Sequence, residues 1–423
     1  MLINFSVSNF SSFKDKITLS MEKTPIQKHP EHILAKGLLS GVGIYGANAS
    51  GKSNLLHSIR MLPEFTVVGD RDLVAVLNSN RFMLNNKEPI EFEVNFISNN
   101  IRYCYKISVT ETEISNEELY FAEKNKEHLV FKRSGIEKEF GKNFTDKFYK
   151  NCTFAKNRTV ISKLLIDGIA DNNVENKQHI LNTVQFLRGI GYFDPKTNIN
   201  PVNIYHNFKF PEFKKFLMNL LVQADFGITD IDFKEVDFPH SKLMSINLSP
   251  LTQGSVLCHQ ADEDYFFFSF ENGKIISRQL VMYHGDATFP TNRESAGTMK
   301  LFKLGFMLYS FKKSEGSKLL LLDEFDSLFH PFLSKVLLQS LLNNPMGGQI
   351  IAVLHNTLLL SHEIWRVDEI WFTEKDQEGV SRLYPLTDIN PRFDKNLERD
   401  YINGRYGAVP FLGGEQVWQE IIK

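Results

Sequence analysis

Cysteine is scarce in this chain of 423 residues. Cys104, Cys152 and Cys258 form no C-x-x-C pair and leave an odd count, which argues against a structural zinc and for a reducing compartment. Neither sign of charge prevails: 48 Lys and Arg face 50 Asp and Glu, so the net charge of −2 provides no global field drawing the protein to nucleic acid or anionic lipid. Any such contact has to be local. Long apolar runs are missing too. Leu319 to Leu322 and Ile350 to Leu354 fall far short of the ~20 residues that span a bilayer. The opening Met1-Leu2-Ile3-Asn4-Phe5 lacks the basic and apolar regions of a signal peptide, so a cytoplasmic protein without membrane contact is expected. There is no internal repeat, heptad array or low-complexity tract, hence no coiled-coil arm.

What remains is a globular composition, 42% hydrophobic and 23% charged, sufficient for one large or two ordinary domains. The 36 phenylalanines are scattered through strand-like segments, which fits core packing better than a recognition surface. Lysines between Lys124 and Lys150 alternate with glutamates and read as a solvated face.

The strongest local signal is Gly46-Ala47-Asn48-Ala49-Ser50-Gly51-Lys52-Ser53, a complete match to the phosphate-loop pattern G-x-x-x-x-G-K-[ST]. By chance the pattern arises on the order of once in a hundred chains of this length. Val42, Ile44 and Tyr45 precede it as a strand, and Asn54, Leu55, Leu56, Ser58 and Ile59 continue it with helical spacing. Glycines let the backbone curl until successive N–H groups face an anion, and the helix N-terminus adds its positive dipole end. A nucleotide is the expected ligand, cradled by Gly46, Asn48, Ala49, Ser50, Gly51, Lys52, Ser53 and Asn54. Lys52 would reach the β- and γ-phosphates and Ser53 would hold Mg²⁺ through its hydroxyl.

Taken in order, Ile3, Phe5 and Val7, then Ile17, Leu19 and Met21, alternate as a strand pair with one buried face. Glu22 to Gly37, with Pro25 and Pro30, reads as a loop. Alternation returns from Ile90 to Phe96 and from Tyr103 to Val109 around the turn Ser98-Asn99-Asn100. From about residue 143 the pattern becomes helical, with polar breaks at Asp171 to Lys177 and Asp194 to Asn200. Strands resume between Ile228 and Met282, where Asn272-Gly273 signals a hairpin. The expected organisation is an N-terminal part over 1–142, a helical insertion over 143–226 and a C-terminal part over 227–423.

Lys318 to Glu324 is an apolar run ending in two acids, as suits a buried parallel strand delivering carboxylates at its C-terminal edge. With a phosphate loop upstream, Asp323 is assigned to the Mg²⁺ shell and Glu324 to polarising the attacking water. Asp323, Glu324 and Asp326 as nuclease metal ligands is the alternative. Ser295-Ala296-Gly297-Thr298, 28 residues ahead of Asp323 at its first residue, opens a helix marked by Leu301, Leu304, Leu308 and Phe311. It is either a second anion-binding turn or a plain N-cap.

The order of phosphate loop, Ser295-Ala296-Gly297-Thr298, Leu319 to Glu324, Asp326-Ser327-Leu328-Phe329-His330-Pro331 and His355-Asn356 resembles the SMC/RecF/OLD-type branch of ABC ATPases. The opening Val7 to Phe13, the residues Arg366, Asp368, Trp371, Phe372, Lys375 and Arg392, and the ending Tyr401 to Pro410 resemble the OLD-like AAA-family ATP-binding proteins of prokaryotic abortive-infection and antiphage systems. Residues from about 110 to 290 match only loosely. The resemblance implies an α/β, ABC-type P-loop NTPase head with flanking antiparallel strands and an inserted helical lobe. It further implies a homodimer or higher homo-oligomer in which Ser295 and Gly297 of one subunit complete the ATP site of another. Asp326 to His330 would contact the partner, and His355 would sense the γ-phosphate. Alanine at 296 and threonine at 298 depart from the commoner signature and bear on the hydrolysis rate. The usual glutamine loop has only Gln185 as a candidate, and the Tyr401 to Gly414 tail has no chemistry of its own.

Three functions follow from the resemblance. The first is an ATPase that senses or regulates a separately encoded effector, a nuclease or toxin, in antiphage defence. The second is a RecF- or SMC-like DNA-repair clamp, for which nucleic-acid binding through a local basic strip is compatible with the neutral charge. The third is an OLD-type nuclease, which the 68 residues after His355 make hard to accommodate, since a domain usually needs ~100–150 residues.

Overall fold

The computed structural model describes the chain apart from residues 69–72, 83–87, 125, 143–152, 167–174, 197–198, 239–245, 247–250, 262–263, 315, 317, 344–345, 390, 392–394, 411–413 and 423. Cys152, Arg392 and part of the polar breaks and tail named above therefore lie outside the described residues. The chain forms two compact units, Met1–Asp194 with Ser314–Lys423, and Pro195–Lys313.

The first unit is the mixed α/β structure that the sequence leads one to expect. Its antiparallel sheet has seven strands in the order Ile17–Ser20, Leu2–Ser8, Ile90–Ser98, Ile101–Val109, Ile114–Glu123, Lys126–Ser134 and Glu137–Phe140. Phe5 lies opposite Leu19 and Val7 opposite Ile17, and these four side chains enter the core. The turn at Asn99 and Asn100 takes positive φ at both residues (49° and 62°), the geometry whose twist matches a two-residue hairpin.

The second sheet of this unit carries the phosphate-loop strand and the acidic strand. Its order is Ser381–Pro385, Ile370–Lys375, Gly41–Gly46, Gln349–Val353, Leu319–Leu322, Ile190–Phe193. All neighbours are parallel except the first pair. Parallel strands are covered on both faces, so they are apolar throughout. Leu319 to Leu322 and Ile350 to Val353 are accordingly buried without alternation. The strand Gln349–Val353 runs between the phosphate-loop strand and the acidic strand, so both deliver their C-terminal ends to one edge with a third strand between them. The helix Lys52–Pro63 buries Leu55, Leu56, Ile59, Met61 and Leu62 in the same core. The two sheets are tied by the buried amide of Gln349, whose Nε2 donates to the carbonyls of Leu2 (3.1 Å) and Leu39 (3.0 Å) and whose Oε1 accepts from the Leu2 amide.

The second unit is an antiparallel sheet ordered Asp230–Glu235, Lys274–His284, Asp264–Glu271, Val256–Ala261, with Ala287–Pro290 added beside Lys274–His284. Helices Pro201–Phe208, Pro211–Gln223 and Ala296–Lys313 accompany it. The hairpin turn at Asn272-Gly273 has φ of 50° and 78°, as that dipeptide suggests. Phenylalanine is spent on its interior: Phe213 meets Phe306 and Tyr309 edge-on at 5.8 and 5.0 Å, and Phe233 meets Phe267 at 4.9 Å.

The limits of the insertion differ from the 143 and 226 that helical patterning suggests. Helices Val160–Ile166 and Glu175–Arg188 pack into the first unit, where Phe186 stacks on Phe96 at 4.2 Å, and Ile190–Phe193 is an edge strand of the parallel sheet. The helices after Pro195 instead share aromatic contacts with the strands after Ile228. Helical periodicity gives an element its type; which sheet covers its apolar face is a long-range matter.

Candidate functional site

The strand Gly41–Gly46 ends in a loop that turns directly into the helix Lys52–Pro63. The loop curls through positive φ at Gly46 (155°), Ala49 (61°) and Gly51 (113°). A β-carbon on Gly46 would overlap the Thr373 carbonyl oxygen, and one on Gly51 would come within 2.7 Å of Ser381 Oγ. Both glycines are thus required by crowding as well as by dihedral angle. Asn48 and Ala49 are exposed at the tip, and Lys52 begins the helix, where unpaired amides and the dipole favour an anion.

Lys52 is only 5% exposed, and its Nζ donates to the carbonyls of Gly46 and Ala47, both at 2.8 Å. Burial lowers its pKa to about 8, against an opposing pull from Asp323, Asp326 and Glu324. One residue on, the exposed Ser53 donates Oγ–H to Asp323 Oδ1 at 3.1 Å. Asp323 also accepts from Tyr192 OH (3.2 Å) and from the Glu324 amide (3.1 Å). Burial nonetheless holds its carboxyl above the ordinary aspartate range. A desolvated carboxylate beside a serine hydroxyl is the oxygen donor set that a small hard cation takes, so Ser53 and Asp323 fit a Mg²⁺ site.

Glu324 follows with left-handed backbone (φ 46°), which turns the chain out of the strand and leaves the residue exposed. Asp326 returns to the interior. Its carboxylate accepts the amide of His355 (2.9 Å to Oδ2) and the amide of Asn356, fixing the chain after Gln349–Val353 to the chain after Leu319–Leu322. Thr357 Oγ1 donates to Glu398 at 3.0 Å and carries the brace onward to the helix Leu397–Ile402. The structure thus brings Lys52, Ser53, Asp323, Glu324 and His355 to one sheet edge, with His355 exposed. Because Asp326 is committed to backbone amides, the three acids do not form a shared metal-ligand group among the described residues.

One loop side chain and one from the first turn of the helix hold this corner in place. Ser50 Oγ pairs with Thr373 Oγ1 at 2.6 Å, and Asn54 Nδ2 donates to Ser12 Oγ at 2.8 Å. Ser295 and Gly297 belong to the second unit, where Ser295 Oγ accepts the Thr298 amide at 3.0 Å and caps the helix Ala296–Lys313. Gln185 accepts from Asn99 Nδ2 at 3.2 Å, so its amide serves the Ser98–Asn100 turn.

Several contributors carry no sequence signal: Tyr192, whose ring also lies 4.6 Å under the Arg60 guanidinium, and Thr373, Ser12 and Ser381. The aromatic tail is also accounted for in part. Tyr401 stacks on Phe372 at 5.4 Å and donates to the Ala408 carbonyl at 2.9 Å, while Tyr384 donates to the Tyr406 carbonyl at 2.9 Å. From Tyr401 to Ala408 the tail therefore packs on the strand beside the phosphate loop.

The family model described as "AAA domain, putative AbiEii toxin, Type IV TA system" matches residues 42–361. A comparison with curated proteins finds no match. Among solved structures, the chain is similar to an SMC head bound to the C-winged helix domain of ScpA, with 11% identity, a TM-score of 0.46 and coverage of 90% of this chain and 97% of that one. It is also similar to the SMC head domain from Thermotoga maritima, with 14% identity, a TM-score of 0.40 and coverage of 91% and 98%. No helix among the described residues is long and apolar enough to cross a membrane.

Proposed function

Because the chain belongs to the AbiEii-type AAA-domain family, we propose that it is an ABC-type ATPase that dimerises around ATP and regulates a separately encoded effector, a nuclease or toxin, in an abortive-infection-like antiphage system. The observation that carries the catalytic part is the gathering of Lys52, Ser53, Asp323, Glu324 and His355 at one sheet edge. Loop amides and Lys52 bind the β- and γ-phosphates, and Ser53 and Asp323 hold Mg²⁺. Bound Mg²⁺ neutralises charge on the phosphate oxygens. Glu324 accepts a proton from, and orients, the attacking water, and His355 is the group assigned to sensing the γ-phosphate. Ser295 and Gly297 of a second subunit close the site. The regulatory part rests on the family and on the resemblance set out above.

Purified protein with ATP and Mg²⁺ is expected to release phosphate while leaving DNA and RNA intact. Absence of phosphate release across protein concentrations would overturn the ATPase reading; metal-dependent cleavage by the chain alone would replace the regulator with a nuclease.

The lowered Lys52 pKa adds a pH signature. Below about 8 the free protein presents an ammonium; above it, binding must first take up a proton, because phosphate favours the charged form. ATP affinity should be level near pH 7 and fall by up to roughly tenfold per unit above pH ~8. Lys52→Ala should remove that slope, as read by equilibrium titration with a fluorescent ATP analogue.

A further inference from the structure

His29-Pro30-Glu31-His32 lies in the proline-containing loop ahead of the phosphate-loop strand, and the proposed ATPase does not use it. Among the described residues it is the one group of three histidine, cysteine or acidic side chains whose ligand atoms all lie within 4.8 Å of one another. Its surroundings are built. The His32 side chain is 4% exposed, and its Nδ1 lies 3.0 Å from both oxygens of Glu369, which is fully buried. With the Glu369 carboxylate accepting, a neutral His32 carries its proton on Nδ1 and offers Nε2 as the ligand atom. His29 Nε2 lies 2.9 Å from the His362 carbonyl, which again only accepts, leaving His29 Nδ1 with the lone pair. That lone pair faces Glu31 Oε1 at 2.9 Å. Two acceptors at this separation require a cation, either an added proton or a metal ion.

We propose that His29, Glu31 and His32 bind a first-row divalent cation of the zinc class, with Glu369 orienting His32 from behind. Two imidazoles and a carboxylate suit Zn²⁺, with water as the fourth ligand. Tetrahedral Zn²⁺ with bonds of about 2.0–2.1 Å sets its ligand atoms roughly 3.3 Å apart. The His29–Glu31 pair is close to that spacing, and the remaining separations have to shorten. The two imidazoles are stacked, 4.9 Å apart and 11° from parallel, so the rings have to tilt toward each other for their lone pairs to converge on one ion. The ion would fasten a loop already anchored at its base, where Asp368 accepts from Thr24 (2.7 and 2.8 Å) and from buried Arg366 (2.9 and 2.8 Å). Those residues lead into Ile370–Lys375, the strand beside the phosphate-loop strand.

The test is equilibrium dialysis of the chelator-treated full chain against Zn²⁺ with excess Mg²⁺, with Co²⁺ as a spectroscopic probe. The site predicts one Zn²⁺ per chain and a tetrahedral Co²⁺ absorption. Both should weaken at least hundredfold in His29→Ala and at least tenfold in Glu31→Gln, an exposed position whose change leaves folding intact. Zn²⁺ should raise the melting temperature of the unaltered protein and not of His29→Ala. No Zn²⁺ uptake overturns the proposal. Equal uptake by the unaltered protein and both variants overturns it as well.

Discussion

Lys52→Ala is expected to weaken ATP binding by a factor of about 100 or more while leaving the fold intact. A charged hydrogen bond contributes about 1.5–3 kcal/mol, and here the ammonium is desolvated and directed at a multiply charged ligand, which puts the loss at the upper end or beyond. The same side chain donates to the Gly46 and Ala47 carbonyls, so its removal also loosens the curl that aims the loop amides. Stability behaves differently. A lysine whose pKa is lowered by burial is charged at a cost in the folded state, and deleting it relieves that cost. Calorimetric titration with ATP and a thermal melt on the same sample separate the two effects. Lost affinity with an unchanged melt is the expected pair, and a collapsed melt would make the lysine a structural residue instead.

Glu324→Gln is expected to slow ATP turnover by about 10²–10⁴-fold, the usual contribution of a positioned general base, without weakening ATP binding. The substitution keeps size and hydrogen-bonding reach and removes only the capacity to take a proton. Because Glu324 sits exposed beyond the strand end, in left-handed backbone, the change leaves the core untouched. Asp323 remains for Mg²⁺, held by Ser53 and Tyr192. ATP then persists, and with it the assembly. Single-turnover kinetics are the direct measure; an unchanged rate would move the base elsewhere, with His355 the next group on that edge.

The parts of this site that are legible in sequence are those whose chemistry is local. A phosphate loop works through consecutive backbone amides, so Gly46 to Ser53 declare it without a partner. A buried parallel strand is apolar throughout, so Leu319 to Leu322 with its trailing acids is equally plain. What holds these parts together acts at long range and leaves no pattern. Ser50 needs Thr373, 323 residues on, and Asn54 needs Ser12. Tyr192, in a segment whose helical patterning hides a short edge strand, reaches Asp323 only because its strand pairs with Leu319–Leu322. Asp326 follows a similar logic. Read along the chain it is a third acid available to a metal or to a partner subunit, whereas in space its lone pairs are taken by the amides of His355 and Asn356. The zinc-class group is likewise half visible: His29, Glu31 and His32 are adjacent in sequence, but Glu369, which gives His32 its orientation, comes from the turn before a distant strand.

An ATP site shared between two subunits shows in the mass of the Glu324→Gln protein in solution. With ATP and Mg²⁺ that variant should sediment at twice the mass of one chain, and adding Ser295→Arg should return it to a single chain without loss of bound ATP. A Glu324→Gln protein saturated with ATP yet monomeric would rule out the shared site.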